Sequence, residues 1–376
     1  MGQPKSPGII KRGGLWHIDK FIRGRRVCES TGTSDKRQAE EILARRVDQI
    51  REATLYGVRA EHTVRAAATK FLIDNKHRRA VCSDAFQLKA LDPFIGSMPL
   101  HKVNIGCLQK FIESRRKDGV KTKSINHALA VVRRIVNLAA SEWFDERGLT
   151  WLETAPKIKL LRVTDARNPY PINFDEQTRL LRELPLHLAR MALFKVNTGC
   201  REQEVCKLRW DWEVKVPEFG SSVFIIPNTY VKNAEDRLVV LNRVALSVIE
   251  EVRGEHPDLV FTYRGSPVTK ILNSAWKCAR ERAADQLEAD TKEKAPWGFR
   301  HVRVHDLKHT FGRRLRAAGV SFEDRQDLLG HRSGRITTHY SQAELENLIA
   351  AAEKVCASQS RKSPALVILR KKAPSG

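Results

Sequence analysis

A stretch without regular hydrophobic spacing interrupts the chain near its middle. Residues 157–171, KIKLLRVTDARNPYP, carry several charges and two prolines, and their apolar residues follow neither the helical nor the strand period. The pattern is helical before this stretch, and after it helical and strand-like segments alternate. A single uniform core is therefore excluded, and 376 residues predict two or three domains.

We predict a multidomain protein, mainly α with small β elements, in five segments. In the first, LWHI and FIRGRRV alternate like strands and a helix with one apolar face follows from Ser34, which predicts a small three-stranded sheet plus a helix. The second is a helical bundle, the third a linker and the fourth a mixed α+β domain. The fifth is a basic tail. The predicted bounds are 1–60, 61–160, 161–171, 172–350 and 351–376.

Two parts of this pattern make specific structural predictions. In KSINHALAVVRRIVNLAASEW, Ser124 is the expected N-cap, and Lys123, Arg133 and Arg134 fall on the exposed face. The mixed segment predicts strands near 221–226, 229–233 and 237–241, and helices near 175–184, 186–197, 201–208, 243–252, 268–288, 306–317, 322–329 and 335–349.

The charge balance indicates a polyanionic partner. There are 67 Lys and Arg against 44 Asp and Glu, a net charge of +23, and nucleic acid is the leading interpretation. The alternative is a basic cytosolic protein without such a role, since ribosome-associated and membrane-surface proteins are basic too. Residues 1–60 hold 13 Lys and Arg against 7 Asp and Glu, so this small module is predicted to contact DNA, through Arg23, Arg25 and Arg26.

Cysteine usage and hydropathy indicate an intracellular protein. The seven cysteines form no CxxC and no regular framework, which argues against a disulfide scaffold or a zinc ribbon and favours a reducing compartment. No apolar run approaches about 18 residues, and the N-terminus lacks the apolar centre of a signal peptide. We expect no membrane association.

Two short motifs offer groups that suit phosphate chemistry. TGCREQEVCKLRW places Arg201 at a helix start, where free N–H groups and the helix dipole favour an anion, and Glu204 on the same face could orient the guanidinium. Alone, such a pair is more often a solvent-exposed ion pair. YVKNAEDRLVVL reads as a hairpin in which Lys232 precedes the turn, where an amine could deliver a proton or be an ordinary edge lysine.

Two further motifs lie near the end of the mixed segment. In LLGHRSGRITTHY, Gly330 permits a left-handed turn, His331 follows, and Tyr340 lies among polar neighbours. In HDLKHTF, His305 and His309 are one helical turn apart and could bind zinc as a pair. A third ligand and an H-E-x-x-H motif are lacking, so we expect no metal. Leu307, Phe311 and Leu315 are expected to anchor that helix in the core.

In this order, TGxRxxE, a hairpin lysine, HDLxHT, LGH and a tyrosine nine residues after that histidine resemble the tyrosine recombinase family, the phage-type integrases in particular. The resemblance implies an arm-binding segment (1–60), a core-binding domain (61–160) and a catalytic domain (172–350). It implies a DNA strand transferase of the bacterial cytoplasm and nucleoid that needs no cofactor, metal or ATP. Its expected partners are double-stranded DNA at core and arm sites, three further protomers in a tetramer, and an excisionase or DNA-bending protein.

The resemblance also implies a role for each motif residue. Tyr340 would be the nucleophile that forms a 3′-phosphotyrosine, and Lys232 the acid that protonates the leaving 5′-oxygen. The remaining catalytic positions would hold the phosphate: Arg201, His305, Lys308 and His331. Glu204 and Asp306 would support them, and His309 would be structural.

One position departs from the family pattern. The family usually has arginine where this chain has Lys308, and lysine keeps the charge but loses the planar fork. Arg300, Arg303 or Arg313 are candidates to supply a fork.

Two alternatives stay open beside an integrase that integrates or excises a mobile element, and Lys308 favours only the first of them. One is a non-catalytic DNA-binding regulator derived from a recombinase. The other is a type IB-like topoisomerase.

Overall fold

The computed structural model describes residues 8–22, 25–56, 59–146, 148–231, 235–330 and 342–356, without the side chains of 25, 52–56 and 342. The chain divides into two compact units, and the division falls between Arg167 and Asn168, inside the predicted linker. The predicted five-segment division stays a prediction.

The first unit begins with an antiparallel sheet in the order β1 (Ile9–Arg12), β2 (Leu15–Ile22), β3 (Arg25–Ser30), followed by helix α1 (Lys36–Tyr56). Gly13 and Gly14 connect β1 and β2 with positive φ angles of 55° and 86°, as a two-residue hairpin turn requires. Ile18 of the sheet and Ala39, Leu43 and Ile50 of α1 form a small core. The predicted sheet plus helix is confirmed.

Four helices complete this unit: α2 (Val64–Asp74), α3 (Val81–Ile95), α4 (Gln109–Lys117) and α5 (Thr122–Ser141). Phe71, Leu91, Phe111 and Leu129 are buried in their shared core, because apolar residues recur three and four positions apart on each helix. Helix α3 lies within the stretch predicted to be a helical bundle, although its bounds were not predicted.

The prediction of Ser124 as the N-cap of α5 is wrong. The helix begins at Thr122, whose N–H donates to Asp165 Oδ2 at 2.8 Å. Asn126 of α5 also exchanges two hydrogen bonds of 2.8 Å with the backbone of Leu161. The predicted linker lacks helix and strand, as expected, yet part of it is fastened to α5.

The second unit builds the expected mixed α+β fold around an antiparallel sheet in the order β4-β5-β6. Phe194, Phe224, Trp276 and Phe299 are fully buried in its main core. Leu307, Phe311 and Leu315 are buried as predicted. Its elements are α6 (Phe174–Glu183), α7 (Leu186–Thr198), α8 (Glu202–Cys206), β4 (Glu213–Val216), β5 (Ser221–Ile226), β6 (Arg237–Val240), α9 (Arg243–Val252), β7 (Thr262–Tyr263), β8 (Ser266–Pro267), α10 (Ser274–Thr291), α11 (Trp297–Arg300), α12 (Val304–Ala317), α13 (Phe322–Leu329) and α14 (Gln342–Glu353).

Two predictions for this unit need correction. No strand begins at 229, since Asn228–Tyr230 form a 3₁₀ turn, and β6 pairs with β5 instead. The helix predicted from 268 starts at Ser274, capped by the Asn273 side chain on the Trp276 N–H. Strand β4 was missed. Of the helix predicted over 335–349, residues 342–349 are helical and 335–341 lie outside the described part.

No helix in the described ranges is both long and apolar enough to cross a membrane.

Candidate active site

Arg201 lies at the N-terminal end of α8, where a turn through Gly199 (φ +64°) joins α7 to α8. Its N–H donates to Glu204 Oε2 and its Nη1 donates to Oε1, both at 2.7 Å. Glu204 is 2% exposed. Burial opposes ionisation of this carboxyl, but the charge of Arg237 and the hydrogen bonds from Arg201 outweigh it and lower the pKa of Glu204.

A second buried guanidinium, which the sequence did not reveal, lies on the other side of Glu204. Arg237 Nε is 3.2 Å from Glu204 Oε2, and both side chains are 2% exposed. Arg237 Nη2 also donates to the carbonyls of Gly199 at 3.4 Å and Leu328 at 3.3 Å. The only available signal was an arginine that opens the otherwise apolar strand RLVV.

Lys308 is buried on α12, next to these two arginines. Its Nζ donates to the carbonyl of Gly199 at 3.0 Å and to that of Leu329. Burial lowers the pKa of this amine to about 6, and the charges of Arg237 and Arg201 contribute to the same shift. The site therefore holds an amine that is easily neutralised where the family usually has a permanent charge.

The C-terminal end of α13 joins these three basic side chains. Three consecutive carbonyls there, which the helix itself leaves without partners, each accept from a different side chain. Leu328 accepts from Arg237, Leu329 from Lys308, and Gly330 from Arg201 Nη2 at 3.3 Å. The negative end of the helix dipole thus faces the cluster.

His305 and His309 lie one turn apart on α12 with ring centroids 4.8 Å apart and their planes nearly perpendicular. Burial is the main cause that lowers the pKa of both imidazoles, and nearby positive charge adds to it. Both line a cleft of about 960 Å³, together with Arg201 and Lys308. Beyond these four, α12 and α13 contribute further basic side chains to the cleft: Arg313, Arg316 and Arg325.

Lys195 is a further buried cation that sequence reasoning missed. Its amine on α7 is fully buried and donates to the carbonyl of Cys200, directly before Arg201. Burial lowers the pKa of this amine to about 8. The helical pattern of α7 gave no sign that this lysine faces inward.

Asp306 supports the start of α12 and does not line the cleft. Its Oδ2 accepts the Arg303 N–H at 2.8 Å, which caps the helix, and its Oδ1 accepts the Tyr170 N–H at 3.2 Å. This holds the segment before α6 against α12.

Comparisons with known proteins match this arrangement to one family. The model of the phage integrase family matches residues 172–347, and that of the phage integrase N-terminal domain matches residues 8–50. The chain belongs to the phage integrase family. The integrase of Salmonella phage P22 is 24% identical, over 92% of this chain and 94% of the relative. Tyrosine recombinase XerC of Xanthomonas campestris pv. campestris (strain B100) is 23% identical, over 67% of this chain and 74% of the relative.

Solved integrase structures show the same fold. A lambda integrase dimer bound to a COC′ core site aligns with a TM-score of 0.56 at 14% identity, over 93% of this chain and 96% of that chain. The Tn1549 transposon integrase in complex with circular intermediate DNA aligns with a TM-score of 0.52 at 17% identity, over 76% and 98%. The family and the fold class predicted from the sequence are confirmed, and the protein is a tyrosine recombinase.

Three of the predicted site residues of this tyrosine recombinase, Lys232, His331 and Tyr340, lie outside the described residues. Of the proposed forks beside Lys308, Arg300 is engaged by Asp285 at 2.8 Å and Glu288 at 3.0 Å. Arg313 lines the same cleft as Lys308. The two guanidinium groups whose charges act on Lys308 belong to Arg237 and Arg201.

The predicted DNA contacts of the recombinase belong to the first unit. Lys123, Arg133 and Arg134 are exposed on α5, as predicted. Arg26 is exposed, but both branches of its fork bond Asp19, at 2.8 and 2.9 Å. Arg23 and the side chain of Arg25 lie outside the described part.

Within the described ranges, no three His, Cys, Asp or Glu side chains form a group that could hold a metal ion.

Proposed function

We propose that this tyrosine recombinase is a site-specific integrase that cleaves and rejoins DNA through a 3′-phosphotyrosine. The observation that carries the proposal is one cleft lined by Arg201, His305 and Lys308. In the described part of this site, Glu204 is the buried carboxylate that faces both Arg201 and Arg237. A cluster so rich in positive charge suits an anion, and a phosphodiester supplies one.

In the proposed reaction, each side chain acts on a particular atom of the phosphodiester or of the tyrosine. The Tyr340 hydroxyl attacks the scissile phosphorus, a P–O bond to tyrosine forms, and the bond to the 5′-oxygen breaks. Arg201 and Lys308 stabilise the charge on the non-bridging oxygens, and His305 and His331 donate or accept protons there. His305 is the candidate to take the tyrosine proton.

Lys232 protonates the departing 5′-oxygen in this scheme. Because the phosphotyrosine conserves the energy of the phosphodiester, a 5′-hydroxyl of another strand can attack it and reverse the step. The reaction so written balances without ATP or a metal ion.

We further propose how the chain engages DNA. Residues 1–60 would bind arm sites, and residues 61–160 and 172–350 would bind core sites, with 161–171 as the connection and 351–376 as a basic tail. A lambda integrase tetramer bound to a Holliday junction shares the fold, with a TM-score of 0.52. We infer that four protomers act together to integrate or excise a mobile element, in the cytoplasm, aided by an excisionase or a DNA-bending protein.

A covalent adduct on a nicked half-site tests the proposal. The half-site is taken from the direct repeat that flanks the gene's element, and the adduct is measured on a denaturing gel. We expect an adduct that Tyr340→Phe abolishes. An unchanged adduct in Tyr340→Phe, or none in the parent protein on a half-site that it binds, would contradict the proposal.

The same material separates the two alternatives. A non-catalytic regulator would bind the half-site and form no adduct. A topoisomerase would form the adduct and relax a supercoiled plasmid, but would not recombine two sites. Recombination between two sites is the outcome that we expect.

A further inference from the structure

We propose that Arg237 is a positioning residue for DNA cleavage: it holds Glu204 and the end of α13 together, and thereby fixes the guanidinium of Arg201. This inference rests on the proposed function. Arg237 is absent from the set of residues that line the cleft and is 3% exposed. It therefore acts through its neighbours and not by touching the phosphate.

Arg237 shares the carboxylate that orients Arg201. Glu204 Oε1 accepts Arg201 Nη1, while Oε2 accepts the Arg201 N–H and faces Arg237 Nε at 3.2 Å. Each oxygen of the carboxylate is thus tied to a guanidinium. Loss of Arg237 would leave one side of a buried carboxylate without its cation, a costly change that a rotation of Glu204 could relieve only by moving Arg201.

Arg237 also connects stretches that are far apart in sequence. Through one Nη2 it bonds Gly199 at the end of α7 and Leu328 at the end of α13. The Gly199 carbonyl accepts from Lys308 as well. These contacts require the planar guanidinium group of Arg237, because the single amine of a lysine could not reach Glu204 and both carbonyls at once.

Arg237 also contacts Gly330, the residue before His331. Gly330 has a left-handed φ of +56°, and a Cβ built there would lie 1.4 Å from Arg237 Nη1. The arginine therefore packs directly on the Gly330 backbone, whose carbonyl accepts from Arg201. Arg237 thus fixes both Arg201 and the point at which the chain leaves α13.

The test compares Arg237→Lys, which keeps the charge and loses the fork, with Arg190→Lys. Arg190 is a matched control in the same unit, 12% exposed and ion-paired with Glu255 at 2.7 Å. Three quantities are measured on a half-site that gives an adduct with the parent protein: Tm, the Kd for DNA, and the single-turnover rate of adduct formation at saturating DNA.

We expect Arg237→Lys to bind DNA with a Kd close to that of the parent and to form the adduct about 10- to 100-fold more slowly, the worth of one charge-assisted hydrogen bond. Arg190→Lys should keep its rate within about twofold. A rate for Arg237→Lys within that same range would overturn the proposal.

A double-variant cycle separates positioning from a purely structural role. If Arg237 acts through Glu204, Arg237→Lys should slow the reaction no further in a protein that already carries Glu204→Gln. Losses that multiply would contradict this. Arg237→Gln replaces Arg237→Lys should the latter melt below the assay temperature; melting of both would make Arg237 a stability residue and overturn the proposal.

The proposed function and this inference fail in different ways. Absence of a Tyr340-dependent adduct in the parent protein would contradict the proposed function. If the parent protein forms the adduct and Arg237→Lys forms it equally fast, only the positioning role of Arg237 is contradicted.

Discussion

Lys308 lies in surroundings that disfavour its charged form. The residue is 5% exposed, and two arginines lie beside its amine. It would gain charge most readily when a phosphate enters the cleft, because the anion would offset both causes that lower its pKa. We therefore expect phosphate binding and protonation of this amine to favour each other.

This environment predicts a pH-dependent cost in stability. The pKa of Lys308 falls from 10.5 to about 6 on folding, so between these values the unfolded chain binds a proton that the folded protein releases. As the pH falls from 10.5 to about 6, the free energy of unfolding therefore decreases by about 1.4 kcal/mol per pH unit. Below about pH 6 this loss of stability is constant.

Lys308→Met removes this cost. The difference in Tm between variant and parent should be most positive near pH 6 and should decrease steadily toward about pH 10. Thermal melts across that range measure it, with Lys277→Met on the exposed face of α10 as control. A difference that does not depend on pH would contradict the inferred neutral amine.

Lys308→Arg tests whether the pocket accepts the family's usual residue. A guanidinium stays charged at every assay pH and offers two donors to the phosphate, so we expect the rate of adduct formation to be retained or raised. The single-turnover rate on the half-site measures it. Loss of cleavage would mean that the pocket, in which Lys308 and Arg237 share the Gly199 carbonyl, is built around an amine.

For individual residues, the sequence predicted which motif residues belong to the site, but it did not predict their buried neighbours. Arg201 and Glu204 are three residues apart, so local spacing predicted their contact. Arg237 and Lys195 reach the site from β6 and α7, and only the packing of distant segments makes them its neighbours. A hydrophobic pattern predicts apolar residues inside and gives no sign of a buried cation.

At the scale of the element, the end of α13 is the part of the fold that the site constrains most. Gly330 combines a left-handed φ with contact against Arg237, while Gly319 after α12 has φ +71° and open space within 4 Å of where a Cβ would lie. Comparing substitutions at the two glycines therefore distinguishes the effect of backbone strain, which both share, from the effect of steric contact, which only Gly330 has.

Gly330→Ala should therefore cost more stability than Gly319→Ala. Strain alone is worth about 1 to 2 kcal/mol at a left-handed position, and only Gly330→Ala must also displace Arg237. Urea unfolding measures both free energies, and adduct formation should slow only in Gly330→Ala. Equal losses of stability would show that Arg237 yields at little cost.

Helix boundaries show where local sequence was insufficient. The cap of α5 comes from Asp165, 43 residues from Thr122, and no local rule could have replaced Ser124 with it. The start of α10 at Ser274 was predicted too early, although Asn273 is a good cap residue. The bounds of α9 were predicted correctly, because its apolar face is continuous.

At the scale of the whole molecule, a net charge of +23 suits a partner with many phosphates. The order of the motifs along the chain predicted the family, since this order is visible in the sequence without any knowledge of packing. The five-segment division still needs a test of each segment by itself.

The exposed face of α5 allows a prediction about DNA affinity. Replacing Lys123, Arg133 and Arg134 by Gln should weaken binding and reduce the slope of log Kd against log salt by about 2 to 3, near 0.9 for each lost phosphate contact. Titrations at several salt concentrations measure the slope. The same number of charges removed at Lys277, Lys292 and Lys294 is the control, and equal slopes for the two triple variants would place the DNA elsewhere.

The three carbonyls at the end of α13 have a consequence for how this protein can diverge. Each successive residue of a helix is turned by about 100°, so deleting or inserting one residue within Phe322–Leu329 would misdirect the acceptors of Arg237, Lys308 and Arg201 together. Substitutions on the outer face of α13 leave the acceptors in place, because the backbone supplies them. The site therefore constrains the length of this helix more tightly than it constrains the side chains on the outer face.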